Sequence, residues 1–128
     1  MFEKLEIFRM ATAMATHAGQ RQAIAAQNVA NADTPGYQAR DLPEFRSVFR
    51  PTEASGLPRA TRAGHLHGSR SGAAIAASFA TRDGAAPNGN SVSLETEMLK
   101  SVDAKRQHDR ALAIYKSGLN ILRSTIRG

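Results

Sequence analysis

The sequence predicts a mainly α protein with a long helix at each end and an irregular middle segment, disordered or partly β. Three observations carry this. Residues 3–31 contain no proline, one glycine (Gly19) and a dense set of alanines. Residues 51–90 hold six of the ten glycines and three of the five prolines. From Ser93 onward, apolar residues recur in alternating steps of three and four, the period of a packed helix.

The first helix is built from good helix formers. Ile7, Met10 and Met14 fall on one line of it, and Phe8, Ala11, Ala15, Ala18, Ala25 and Val29 on another. Together they form a broad, alanine-rich stripe, and small side chains on a stripe let a second helix approach closely. At 1.5 Å per residue the helix spans roughly 43 Å.

Asn28-Val29-Ala30-Asn31-Ala32-Asp33-Thr34-Pro35-Gly36-Tyr37 brings that helix to a stop. Pro35 fixes its own φ and disfavours helix at Thr34, and Pro-Gly suits the two central positions of a type II turn, where glycine supplies the positive φ. Asn28 and Asn31 lie three apart, on one face of the closing turns. Their amides either cap the last carbonyls or bond a neighbouring chain.

The middle segment opens with Leu42, Phe45, Val48 and Phe49 at helical spacing, enough to dock a short turn of helix. Beyond them little apolar area is available to offset the entropy of ordering, so residues 51–90 are expected to be weakly ordered. Short extended pieces are expected around His65–Leu66 and Ala74–Phe79. The chain thus divides into an N-terminal helix and turn (1–40), a Gly/Pro/Arg-rich variable loop (41–91) and a C-terminal helix (92–128).

Asn88-Gly89-Asn90 is a turn signal. Ser93 follows as an N-cap, with Glu95 and Glu97 in the first turn, where the helix dipole favours negative charge. Leu112, Tyr115, Leu119, Leu122 and Ile126 form an a/d seam; the same frame runs back to Leu94 and Met98 but passes through Ser101, Lys105 and His108. Arg123 and Arg127 complement the C-terminal dipole. A helix of roughly 50 Å beside one of 43 Å cannot bury both stripes within so small a chain. The missing partner is expected to be another copy or a related protein.

Composition narrows the function classes. There is no cysteine, which excludes disulfides and thiolate metal sites. Seventeen basic against eleven acidic residues give a net charge of +6, which favours acidic partners. No apolar run approaches the roughly 20 residues that span a bilayer, and the charged start of the chain is unlike a cleavable signal peptide. The chain lacks G-x-S-x-G, P-loop and His-Glu-x-x-His patterns. His65-x-His67 has no third ligand nearby, and Gly68-Ser-Arg-Ser-Gly72 has neither the phosphate-loop spacing nor its lysine. No enzymatic activity, metal or cofactor is expected.

The segment from Ala25 to Arg40, with Asn28, Asn31 and Thr34-Pro35-Gly36-Tyr37 in place, resembles the N-terminal motif of the flagellar basal-body rod and hook axial proteins. Its Ala-Asp-Thr-Pro-Gly-Tyr variant, followed by Ala-Arg-Asp, and its shortness are most similar to the proximal rod members. Val92-Ser93-Leu94-Glu95-Thr96-Glu97-Met98 resembles the family's second-helix start, with Ser93 in place of the usual acid. The likeness covers about the first 40 and last 37 residues; the middle matches only around Gly64-His65-Leu66.

This resemblance implies that the terminal helices pair as a coiled-coil-like bundle. It implies a structural subunit of the flagellar rod, one that self-assembles by helix–helix packing into a tube that transmits torque and houses the export channel. Implied partners are further copies, related rod proteins, the inner-membrane ring with its adaptor at the rod base, and the flagellar export apparatus. The implied location is the periplasmic rod of the basal body, reached without a cleaved signal peptide and without membrane insertion. Candidate assembly or helix-packing residues are Ile24, Asn28, Val29, Asn31, Leu94, Met98, Leu112, Tyr115, Leu119, Leu122 and Ile126; the turn motif is Thr34, Pro35, Gly36 and Tyr37. The polar stretch Ser101–His108 sets register, faces the channel or is solvated.

An alternative is a basic nucleic-acid-binding or chaperone-like helical protein. It would use Arg40, Arg46, Arg50, Arg59, Arg62, Arg70 and Arg82 against phosphates. Those arginines are scattered, offset by Asp41, Glu44, Glu53 and Asp83, and short of aromatic neighbours for base stacking.

Overall fold

Two long helices running in opposite directions make up most of the described residues. Residues 2–49, 78–81 and 85–128 are described in the computed structural model. In chain order the elements are α1 (Phe2–Ala30), β1 (Arg40–Asp41), α2 (Phe45–Val48), β2 (Phe79–Ala80) and α3 (Leu94–Arg127). The antiparallel sense follows from three contacts in which the partner number falls along α3 as it rises along α1. Lys4 Nζ donates to Thr125 Oγ1 at 3.5 Å. The Phe8 ring meets Tyr115 edge-on with centroids 5.0 Å apart. His17 Nδ1 faces the Gln107 amide at 3.4 Å.

The helices meet along small residues. Ala11, Ala18 and Ala25 recur every seventh position on α1 and are buried, and so are Ala104 and Ala111 on α3. Gly118 continues the second line, and a Cβ there would come within 3.1 Å of the Phe8 ring. Side chains this short place the axes near the lower end of the usual interhelical spacing, about 8 Å. Each alanine buries little area, so the pair is held by many close contacts along its length and by few large side chains.

The leucine-rich seam of α3 is therefore only partly turned to α1: Tyr115 meets Phe8, and Leu119 and Leu122 are half-buried, but Leu94, Met98, Leu112 and Ile126 are exposed. Successive helical residues are about 100° apart, so the line through Leu94, Met98, Leu112, Tyr115, Leu119, Leu122 and Ile126 is turned roughly 70° from the line through Ala104, Ala111 and Gly118. The alanines of α1 explain the choice. A flat, small surface on one helix lets the other approach only with its own small side chains inward.

The helix ends agree with the local signals. Ser93 accepts a bond from Thr96 N at 3.5 Å as the N-cap of α3. Gly36 has φ 73°, and Tyr37 N donates to Thr34 O at 3.3 Å, which closes the turn the Pro-Gly pair predicts. The short apolar cluster forms α2, whose Phe45 stacks on Phe49 with centroids 5.2 Å apart. β1 and β2 pair antiparallel, Arg40 opposite Ala80 and Asp41 opposite Phe79. The extended piece expected at 74–79 meets β2 at Phe79; its remainder and His65–Leu66 lie outside the described residues.

Residues 39–49 form an arm that lies along α1. His17 is buried beneath it. The His17 Nε2–H donates to the Pro43 carbonyl at 2.7 Å, and Phe45 sets its ring edge against the imidazole with centroids 5.7 Å apart. Ala39 and Leu42 of the arm are buried as well.

Candidate functional site

The residues singled out by sequence separate into two places. One is the corner where α1 ends and α3 begins; the other is the outer flank of α3.

At the corner, Asn28 is fully buried and pairs with the backbone of Arg40 in both directions. Its Nδ2 donates to Arg40 O at 2.8 Å, and its Oδ1 accepts from Arg40 N at 3.1 Å. The Tyr37 hydroxyl donates to the same Oδ1 at 3.1 Å. One amide thus satisfies a full backbone pair that would otherwise be buried unpaired, at a cost of about 1–3 kcal/mol per group. Of the two roles left open for these asparagines, Asn28 serves neither: its bonds are to the returning segment of its own chain. Asn31 does cap, its Nδ2 donating to Gln27 O at 2.9 Å, and Thr34 Oγ1 donates to its Oδ1 at 3.3 Å.

Asn90, read from sequence only as part of a turn, completes the corner. It is 3% exposed, and its Nδ2 lies within bonding distance of three carbonyls: Asn31 at 2.9 Å, Ala32 at 2.8 Å and Thr34 at 2.8 Å. Its Oδ1 accepts from Val92 N at 2.8 Å. The two turns also bond directly, Gly36 N to Asn88 O at 3.0 Å and Ser91 N to Tyr37 O at 3.0 Å. Gly89, at φ 80°, packs against Gly36 so closely that a Cβ on it would lie 3.4 Å from the Gly36 Cα. Ser91 Oγ accepts from Ala39 N at 2.8 Å and ties in the arm. Nothing in the local pattern around Asn90 distinguishes this role from an ordinary turn asparagine, because its partners sit at the far end of the chain's middle segment.

A charged cluster lies next along the bundle. Asp41 reaches Arg21 Nε of α1 and Lys100 Nζ of α3, each at 3.4 Å, and Lys100 also reaches Glu97 Oε1 at 3.3 Å. Glu97 lies in the first turn of α3 as expected and is 1% exposed, and its Oε2 has no hydrogen-bond partner among the described residues. Asp41 is therefore paired on both sides. Sequence spacing could have suggested only the Glu97–Lys100 pair, three apart on one helix.

On the flank of α3, Met98 is 67% exposed, Leu112 52% and Ile126 84%. Leu94 and Tyr115 are exposed with them, whereas Leu99, Val102 and Ile121 are exposed on other sides of the helix. Leu119 and Leu122 are half-buried, as is Ile24 on α1, while Val29 stands out to solvent. Lys105 and Asp109, an exposed ion pair at 3.7 Å, interrupt this apolar flank near its middle. Of the polar stretch, Ser101, Gln107 and His108 are half-buried and Lys105 is exposed. The flank is suited to packing against another helix, since none of the described residues covers it.

Among the described residues no group of three His, Cys, Asp or Glu side chains could hold a metal ion, and no helix is long and apolar enough to cross a membrane. His65 and His67 lie outside those residues.

The family model "Flagella basal body rod protein" matches residues 11–38, the second half of α1 together with the corner. Relatives named "Flagellar basal body rod protein FlgB" match over most of the chain. That of Agrobacterium fabrum is 32% identical, across 98% of this chain and 96% of its own length. That of Salmonella typhimurium is 30% identical across 85% and 84%, and that of Yersinia enterocolitica 32% across 85% and 80%. With an alanine-lined helix pair, a corner built on its asparagines and relatives that match from end to end, the chain belongs to the flagellar basal body rod protein family, in its FlgB group.

Proposed function

We propose that the chain is a structural subunit of the flagellar basal-body rod, assembling by packing the apolar flank of α3 against helices of neighbouring subunits. The observation that carries this is the division of labour on α3. Its small residues already face α1, and Leu94, Met98, Leu112 and Ile126 are exposed on a separate line. Burying an exposed leucine or isoleucine is worth about 1.5–3 kcal/mol, so several such residues per subunit supply the driving force that the lean monomer core lacks.

The resulting tube transmits torque and houses the export channel. The neighbours are further copies and related rod proteins, with the inner-membrane ring, its adaptor and the export apparatus meeting the subunit at the rod base. The subunit reaches the periplasmic rod through that apparatus, without a cleaved signal peptide. A helix pair held by alanines unfolds at low cost for such passage and regains burial on assembly. Neither a nucleic-acid-binding nor a chaperone role draws support from the relatives.

The test is to complement a strain lacking the gene with an epitope-tagged copy and to examine isolated basal bodies by immunogold electron microscopy. Label on the proximal rod is expected. Motile cells whose basal bodies carry no label would overturn the proposal.

A further inference from the structure

We infer that Asp41 is the latch of a docking arm: residues 41–49 seat only after α1 and α3 have paired, and they leave without the pair separating. The Asp41 carboxylate bridges the two helices, one oxygen 3.4 Å from Arg21 Nε and the other 3.4 Å from Lys100 Nζ. Neither helix alone presents both cations. The second attachment has the same logic. His17 of α1 donates to the Pro43 carbonyl of the arm while its other nitrogen faces the Gln107 amide of α3.

Release is separable from unpairing because of Glu97. Its carboxylate is buried, and Lys100 stays within 3.3 Å of it inside the same helix whether or not the arm is present. When Asp41 departs, Lys100 therefore remains paired, and Arg21, whose Nε is buried without a hydrogen bond while the rest of its side chain is partly exposed, is opened to water by the same departure. No buried charge is abandoned, which is the condition under which losing an ion pair is cheap. The backbone bonds of Asn28 to Arg40 hold the residue ahead of this segment, so the hinge lies between Arg40 and Leu42.

Hydrogen exchange on the full chain tests this with Asp41→Asn, which keeps the shape and removes the charge. The arm is followed at the amides of Ser47 and Phe49, which donate to Glu44 and Phe45 carbonyls, and the helix pair at the amides of Ala104 and Ala111. Arm exchange is expected to quicken by about tenfold, the equivalent of one charged hydrogen bond, with helix exchange unchanged. Arg21→Met is expected to give the same pattern at smaller amplitude. Unchanged arm exchange in either variant would overturn the inference. So would arm and helix amides quickening together in Asp41→Asn, or that variant failing to fold by circular dichroism.

Discussion

The side-chain amide of Asn90 lies 2.8 Å from the carbonyl of Thr34, 56 residues earlier in the chain. It joins the turn that ends α1 to the turn that precedes α3, and with the Asn31 and Ala32 carbonyls on the same nitrogen it closes the end of α1. Asn90→Ala removes the side-chain donor these carbonyls share, although Asn31 O and Thr34 O keep a backbone donor each, and is expected to destabilise the chain by about 1–3 kcal/mol. Asn90→Asp, which sets a carboxylate against them, is expected to be worse. Urea unfolding followed by far-UV circular dichroism gives the comparison; an Asp variant as stable as the parent would contradict the assignment.

Gly36 tests the turn separately from packing. A Cβ there meets nothing within 4 Å, so only its φ of 73° resists substitution. Gly36→Val is expected to cost more than the roughly 1–2 kcal/mol of a left-handed L-residue, because of its β-branch, and Gly36→Asn less than that. The same unfolding measurement ranks the two, and equal losses would show that the conformation is not the cause.

Gly118 tests the helix contact. Gly118→Ala gains about 1 kcal/mol of helix propensity but pushes on the Phe8 ring, 3.1 Å from the new methyl. The ring edge can shift by a few tenths of an ångström, so the two effects should nearly cancel. Gly118→Leu forces the helices apart and is expected to lose about 1–3 kcal/mol. A Leu variant with unchanged thermal stability would mean the pair does not pack along this line.

The features legible in the sequence were those fixed by neighbours a few residues away. Ser93 as a cap, the Pro35–Gly36 turn, the extent of both helices and the Phe45 cluster all depend on local chemistry. The facing of α3 did not. Its strongest apolar period runs through Leu112, Leu119 and Ile126, and only the alanines at 11, 18 and 25 of the other helix dictate that Ala104 and Ala111 turn inward. Asn90, Asp41 and the burial of Glu97 were hidden for the same reason, since each is defined by partners on a different element.

Substitutions on the flank separate assembly from folding. Leu112→Asp and Ile126→Asp lie at exposed positions and are expected to change monomer stability by no more than about 0.5 kcal/mol while abolishing swimming. Leu119→Asp and Leu122→Asp should also stop motility, but these half-buried residues should lower monomer stability too. Soft-agar motility beside unfolding curves of the purified variants distinguishes the pairs, and normal swimming with Leu112→Asp would count heavily against the flank.

Because the chain contains no cysteine, a single Leu112→Cys reports on the flank directly. Its maleimide labelling rate in the purified monomer and in isolated basal bodies is the measurement closest to the central claim, that a neighbouring helix covers this line. The thiol is expected to react readily in the monomer and to be shielded in basal bodies. Equal rates in the two would show that the leucine flank stays open in the rod and would contradict it.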